Sequence, residues 1–190
     1  MNNSDLSVAR LERGLGSKDS DVRAMWARRT DWTPTPEQIE RGLNDKTWTV
    51  RIEWAKRMDY TPTHTQVERG LMDAWHTIRG LWLERTDWTP TPEQVIRGLQ
   101  DTESTFIRCA WARRMDWTPA HEQIEIGLND PAGSVRATWA ERRDFTPTHE
   151  QIERGLNDSS RMVRNAWMIR IGMETSELMG DAPDMQGASL

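Results

Sequence analysis

Residues 31–58 read DWTPTPEQIERGLNDKTWTVRIEWAKRM, and at Asp59 the pattern begins again. Within this stretch Thr35-Pro36-Glu37-Gln38 has the form of a helix start. Thr35 suits the N-cap, Pro36 the first helical position, and Gln38 closes a capping box. Ile39 and Leu43, four residues apart, give the first helix an apolar stripe. Gly42 removes a side chain between them, so that a neighbouring helix can approach closely. The spacing predicts a second helix over residues 49–57, with Val50, Trp54 and Met58 on its buried face. Asp59-Tyr60-Thr61-Pro62 then ends it, because proline bars the residue before it from the helix.

Extended in both directions, the pattern covers most of the chain. The Gly-Leu pair recurs at Gly14, Gly42, Gly70, Gly98, Gly127 and Gly155. Behind it stand Trp26, Trp54, Trp82, Trp111, Trp139 and Trp167, each with an arginine three residues before and three after. The first ladder is Arg23, Arg51, Arg79, Arg108, Arg136 and Arg164; the second is Arg29, Arg57, Arg85, Arg114, Arg142 and Arg170. The step is 28 residues except for one of 29, where the fourth copy gains a residue between Gly98 and Arg108. Such periodicity predicts an all-α fold, an α-solenoid of six two-helix repeats over residues 1–172. Helices this short are marginal alone, so stacking must supply the stability.

Composition agrees with a repeat whose core is built on indole. The 190 residues hold 11 Trp against one Tyr and two Phe, with 36% hydrophobic and 29% charged side chains. The net charge of −5 is uneven. Residues 173–190 carry Glu174, Glu177, Asp181 and Asp184 and no base, so the rest is nearly balanced. That segment reads as an acidic tail whose composition suggests disorder. Cys109 is the single cysteine, which excludes an internal disulfide and fits a reducing compartment. With neither a signal-peptide pattern nor a membrane-length apolar run, a soluble cytoplasmic protein is expected.

The loop aspartate and the first ladder arginine stand six apart in Asp45 to Arg51, Asp73 to Arg79, Asp130 to Arg136 and Asp158 to Arg164, and seven apart in Asp101 to Arg108. This resembles the Asp…Val-Arg signature of HEAT-like repeats, and the Pro-x-Glu-Gln helix start resembles the leucine-rich repeat variant, a related bacterial helical solenoid. The resemblance covers about residues 4–172. It implies a scaffold with Asp–Arg bonds between adjacent repeats and with the second helices lining the concave face. It implies no particular ligand.

Catalytic and metal readings find little support. His64, His121 and His149 occupy one helix-start slot in different copies, about 10 Å or more apart, too far to share zinc. His76 has no partner in sequence. Cys109 fills a packing slot whose counterparts are Ala24, Ile52, Gly80, Ala137 and Asn165. No Ser/His/Asp grouping or phosphate loop departs from the repeat. No catalytic residue, cofactor, metal or small-molecule substrate is expected. The arginine ladders could grip phosphates, which makes nucleic acid the alternative partner. The matched acidic residues favour ion pairs instead.

The copies serve as one another's alignment. Positions that never vary are those that stacking needs; positions that vary can specialise. The variable window follows each loop aspartate, and there Trp48, Trp75 with His76, and Phe106 break a polar pattern. The last copy places Arg161 in the same window. A second variable set lies on the second helix: Glu53, Lys56, Leu81, Glu84 and Arg113. Clustered aromatics on a polar edge are typical anchors. These residues are therefore the candidate surface for another protein, in an adaptor or an inhibitor or immunity-type role. The second aromatic series, Trp32, Tyr60, Trp88, Trp117 and Phe145, is expected to plug the junction between repeats.

Overall fold

A computed structural model describes residues 8–172, and the acidic segment 173–190 lies outside the described residues. The described chain is all-helical and falls into two compact units, divided between Pro90 and Thr91.

The first unit holds α1 (Val8–Leu15), α2 (Ser20–Ala27), α3 (Pro36–Leu43), α4 (Trp48–Ala55), α5 (His64–Leu71) and α6 (His76–Glu84). The second holds α7 (Pro92–Leu99), α8 (Thr105–Arg113), α9 (His121–Leu128), α10 (Gly133–Glu141), α11 (His149–Leu156) and α12 (Arg161–Ile171). Each unit is thus three helix pairs stacked in two layers. The second helices pack on one another more extensively than the first helices do. They form the tighter side of each stack.

Local chemistry accounts for the starts of the first helices. Thr35, Thr63, Thr91 and Thr148 each accept from the N3 amide, and the N3 glutamine accepts from the N-cap amide in return. Ala120 loses the first bond and keeps the second, Gln123 Oε1 accepting from its N–H at 2.8 Å. The extra residue of the fourth copy is absorbed just before α8. There Asp101 accepts from the amides of Glu103 and Ser104, and Ser104 caps Ile107.

The tryptophan row is the core. Trp26, Trp54, Trp82, Trp111, Trp139 and Trp167 are all buried, each 6% exposed or less. The repeat glycine proves to be the seat for its own repeat's indole. A Cβ added to Gly42 would fall inside the Trp54 ring, and Gly14, Gly70, Gly98, Gly127 and Gly155 meet their own tryptophans in the same way. Close approach is indeed the reason for glycine, but what approaches is a ring rather than a neighbouring helix. One expectation fails. Met58 is 59% exposed, because α4 stops at Ala55 and the chain has already turned away from the core.

Candidate functional site

Many charged side chains of the repeat are held by bonds between repeats. In the first ladder Arg23, Arg51, Arg108 and Arg136 each grip a carboxylate of the following repeat: Asp45, Asp73, Asp130 and Asp158. Both carboxylate oxygens are engaged, at 2.6 to 3.1 Å. Arg51 also donates to the Asp45 carbonyl at 2.8 Å, so one guanidinium fixes its own loop and its neighbour's. The side-chain partner is therefore the next repeat's aspartate, not the one six residues earlier. Asp158 is held below the usual carboxylate range by its bonds with Arg136. Asp45 is also lowered: burial pushes it up, but Arg23 and the Thr47 amide outweigh that.

The second ladder runs toward the preceding repeat. Arg57 donates to the carbonyls of Ala27 (2.8 Å), Arg29 (2.5 Å) and Trp32 (3.1 Å), and pairs with Asp59. Its guanidinium lies over Trp32 at 4.4 Å and Trp54 at 5.4 Å. Arg85 and Arg142 repeat the arrangement with Asp87 and Asp144, over Tyr60 and Trp82 and over Trp117 and Trp139. The half-buried aromatic series is thus the other wall of a cation-filled joint, as a junction plug should be. Tyr60 donates to the Trp54 carbonyl at 3.2 Å, and burial pushes its hydroxyl up to about 12.

A third ladder escaped the sequence reading. The capping-box glutamine and the arginine three residues later both reach back to a glutamate of the preceding repeat. Gln38 and Arg41 hold Glu12, Gln66 and Arg69 hold Glu40, and Gln151 and Arg154 hold Glu125, at 2.6 to 3.0 Å. The signal was a glutamate two residues before the repeat glycine, present in five of six copies.

The arginines that could have met phosphates are mostly committed. Arg57, Arg85, Arg114 and Arg142 are buried and each pairs with the aspartate two residues on. Along this ladder these four guanidinium groups are spent within the fold.

What remains accessible is the irregular edge. In the first unit Trp48 opens α4 and Trp75 caps α6, and their rings stack with centroids 5.1 Å apart and planes 27° apart. They are 40% and 48% exposed. Trp48 also walls a groove of about 490 Å³ between α2 and α4, floored by Ala24 and Ile52 and flanked by Met25. His76 is exposed beside Trp75, Lys56 at the C-cap of α4 and Glu84 on α6 are exposed, and Leu81 is half-buried.

Glu53 differs from its expectation. It is buried, its carboxylate taken by Arg28 through two bonds of 3.1 Å with Lys56 at 3.6 Å. The cations Arg28 and Lys56, rather than Glu53, face solvent here. In the second unit Phe106 is 50% exposed on the first turn of α8, and Arg113 and Arg161 are exposed on α8 and α12. Cys109 is a buried thiol near the Ser134 hydroxyl. Among the described residues, no cluster of three or more His, Cys, Asp or Glu is placed to hold a metal ion, and no helix is long and apolar enough to cross a membrane.

Comparison with family models matches residues 149–166, most of the last helix pair, to a HEAT repeat associated with sister chromatid cohesion. No curated protein matches the chain. With twelve helices and no strand among the described residues, and helix pairs tied by Asp–Arg bonds between repeats, this is a HEAT-like helical repeat protein, an α-solenoid by fold.

Proposed function

We propose that this protein is a non-catalytic scaffold that binds another protein through the second-helix side of its first unit. The observation that carries the reading is the Trp48–Trp75 stack. The protein buries six indoles in its repeats yet leaves these two open to solvent, beside a groove. Exposed aromatics next to a recess, ringed by polar side chains, are where binding energy concentrates at interfaces. On this reading Trp48 and Trp75 anchor the partner. His76, Lys56, Leu81 and Glu84 contact it around them, and Glu53 acts indirectly by setting the direction of Arg28.

Phe106, Arg113 and Arg161 are a further contact set on the second unit. Residues 1–172 act as the recognition array, with 173–190 as an appended acidic tail. The role is that of an adaptor or an inhibitor or immunity-type blocker in the cytoplasm, and the repeat is of the leucine-rich-variant kind found in bacterial solenoids. The HEAT match supports a binding scaffold in general terms. The ion-paired ladders turn the choice from nucleic acid toward protein.

The test is a photoreactive benzoylphenylalanine in place of Trp48, irradiated in extract of the native host. A single crosslinked protein is expected, absent when the same residue replaces Glu150 on α11. No product from position 48, or the same products from both, would refute the site.

A further inference from the structure

The last helix pair of the second unit lacks counter-ions that the same positions have elsewhere. Arg23, Arg51, Arg108 and Arg136 each hold a carboxylate of the following repeat. Arg164 makes the corresponding backbone bonds, to the carbonyls of Asp158 at 2.6 Å and Ser159 at 3.1 Å, but has no carboxylate among the described residues. The second ladder shows the same loss for a different reason. Arg57, Arg85 and Arg142 pair with the aspartate two residues on, and after Arg170 that place is Gly172. Arg170 still reaches the carbonyls of Ala140 and Phe145 and lies over the Phe145 ring at 4.2 Å; the acid acting on it is Asp144, whose carboxylate is already taken by Arg142. Arg143 adds a third charge, donating to the Arg170 carbonyl at 2.8 Å.

The apolar surface of this pair is open as well. Met162 and Ile169 are exposed, and Leu156 is only half-buried where Leu15, Leu43, Leu71, Leu99 and Leu128 are buried. A guanidinium left without its anion and apolar area left in water both favour a covering segment with carboxylates.

We propose that residues 173–190 supply that cover, bringing carboxylates to Arg164 and Arg170 and apolar side chains to Met162 and Ile169. The segment follows α12 directly and carries Glu174, Glu177, Asp181 and Asp184, no basic residue, and Met173, Leu178 and Met179. Reach is no obstacle: six helical residues separate the two arginines by about 9 Å, and ten extended residues span roughly 33 Å. Tethering supplies the segment at millimolar effective concentration, so weak contacts suffice. A second copy docking head to tail fits less well, since its first repeat has Ser17 at the position of Asp45. This inference does not depend on the binding role of the first unit.

Amide hydrogen exchange on the full chain, read by mass spectrometry at low salt, tests it. Amides of 173–190 should exchange about tenfold slower than in a full chain carrying Glu174→Gln, Glu177→Gln, Asp181→Asn and Asp184→Asn. The protection should fall in Arg164→Gln and in about 0.5 M NaCl, where exposed charges are screened. It should not depend on protein concentration. The neutralised variant changes no residue of the described repeats, so loss of their fold cannot imitate the result. Exchange at the rate of the free synthetic peptide 173–190, protection that survives neutralisation, or protection that grows with concentration would each overturn the proposal.

Discussion

The two units share ladders, capping boxes and a tryptophan row, yet differ at the edge where the second helices begin. In the first unit that edge carries Trp48 and Trp75, stacked on each other and open to water. In the second, Gly133 stands at the position of Trp48, and a Cβ there would come within 2.8 Å of the Ser160 hydroxyl. The first edge carries stacked rings here, while between α10 and α12 the second is closed by small residues. No ladder bond claims these positions, so the fold tolerates either solution. Recognition can therefore vary at this edge while the joints stay fixed.

Substitutions should separate joint from edge, and the largest effects belong to the joint. Trp139→Ala empties a buried slot above Gly127 and should cost about 3–5 kcal/mol in urea unfolding. A loss below about 1 kcal/mol would mean the row is not the core. Asp130→Ala leaves Arg108 facing an empty site in the most enclosed of the ladder pairs, and should lower stability by about 3 kcal/mol. The amide of Ala132 loses its acceptor in the same variant.

Acid should act on the joints as a group. Asp45, Asp158, Glu12, Glu40 and Glu125 are all lowered in the folded protein. The unfolded chain therefore takes up protons first. The stability these groups contribute is present above their unfolded pKa, near 4, and is lost as pH falls through their folded values. The thermal midpoint should drop steadily below about pH 5, and a flat profile down to pH 3 would contradict the ladders. The smallest structural effect belongs to the edge of the second unit. Gly133→Ala should cost about 1 kcal/mol, since Ser160 must give way.

The sequence made the joints legible because every copy repeats them. Six tryptophans in register with six glycines pointed to a buried row, and Thr-x-x-Gln to a capped helix. The direction of the bonds was harder to read. Arg51 stands six residues from Asp45 and twenty-two from Asp73, yet only the fold makes the second carboxylate the nearer one. Gln38 looked complete as a capping residue, and its free amide hydrogens, which hold Glu12, went unnoticed.

At the edge, comparison of the copies flagged Trp48, Trp75 and Phe106 as irregular. Trp48 and Trp75 sit one register apart in their repeats, and it is the offset between adjacent second helices that lets them stack. Glu53 reads as a free surface position because its slot varies, holding Leu81, Ala110 and Thr138 in other copies. Arg28, which covers it, is the first copy's counterpart of Lys56, and only the fold brings it over the next repeat's glutamate.

One double variant brings the account to a decision. Trp48→Ala with Trp75→Ala should shift the urea unfolding free energy by no more than about 1.5 kcal/mol, the worth of a stacked pair. In the same preparation the protein crosslinked at position 48 should no longer be retained. Substantial unfolding of the variant, or a partner held as tightly as before, would contradict the division between joints that build and an edge that recognises.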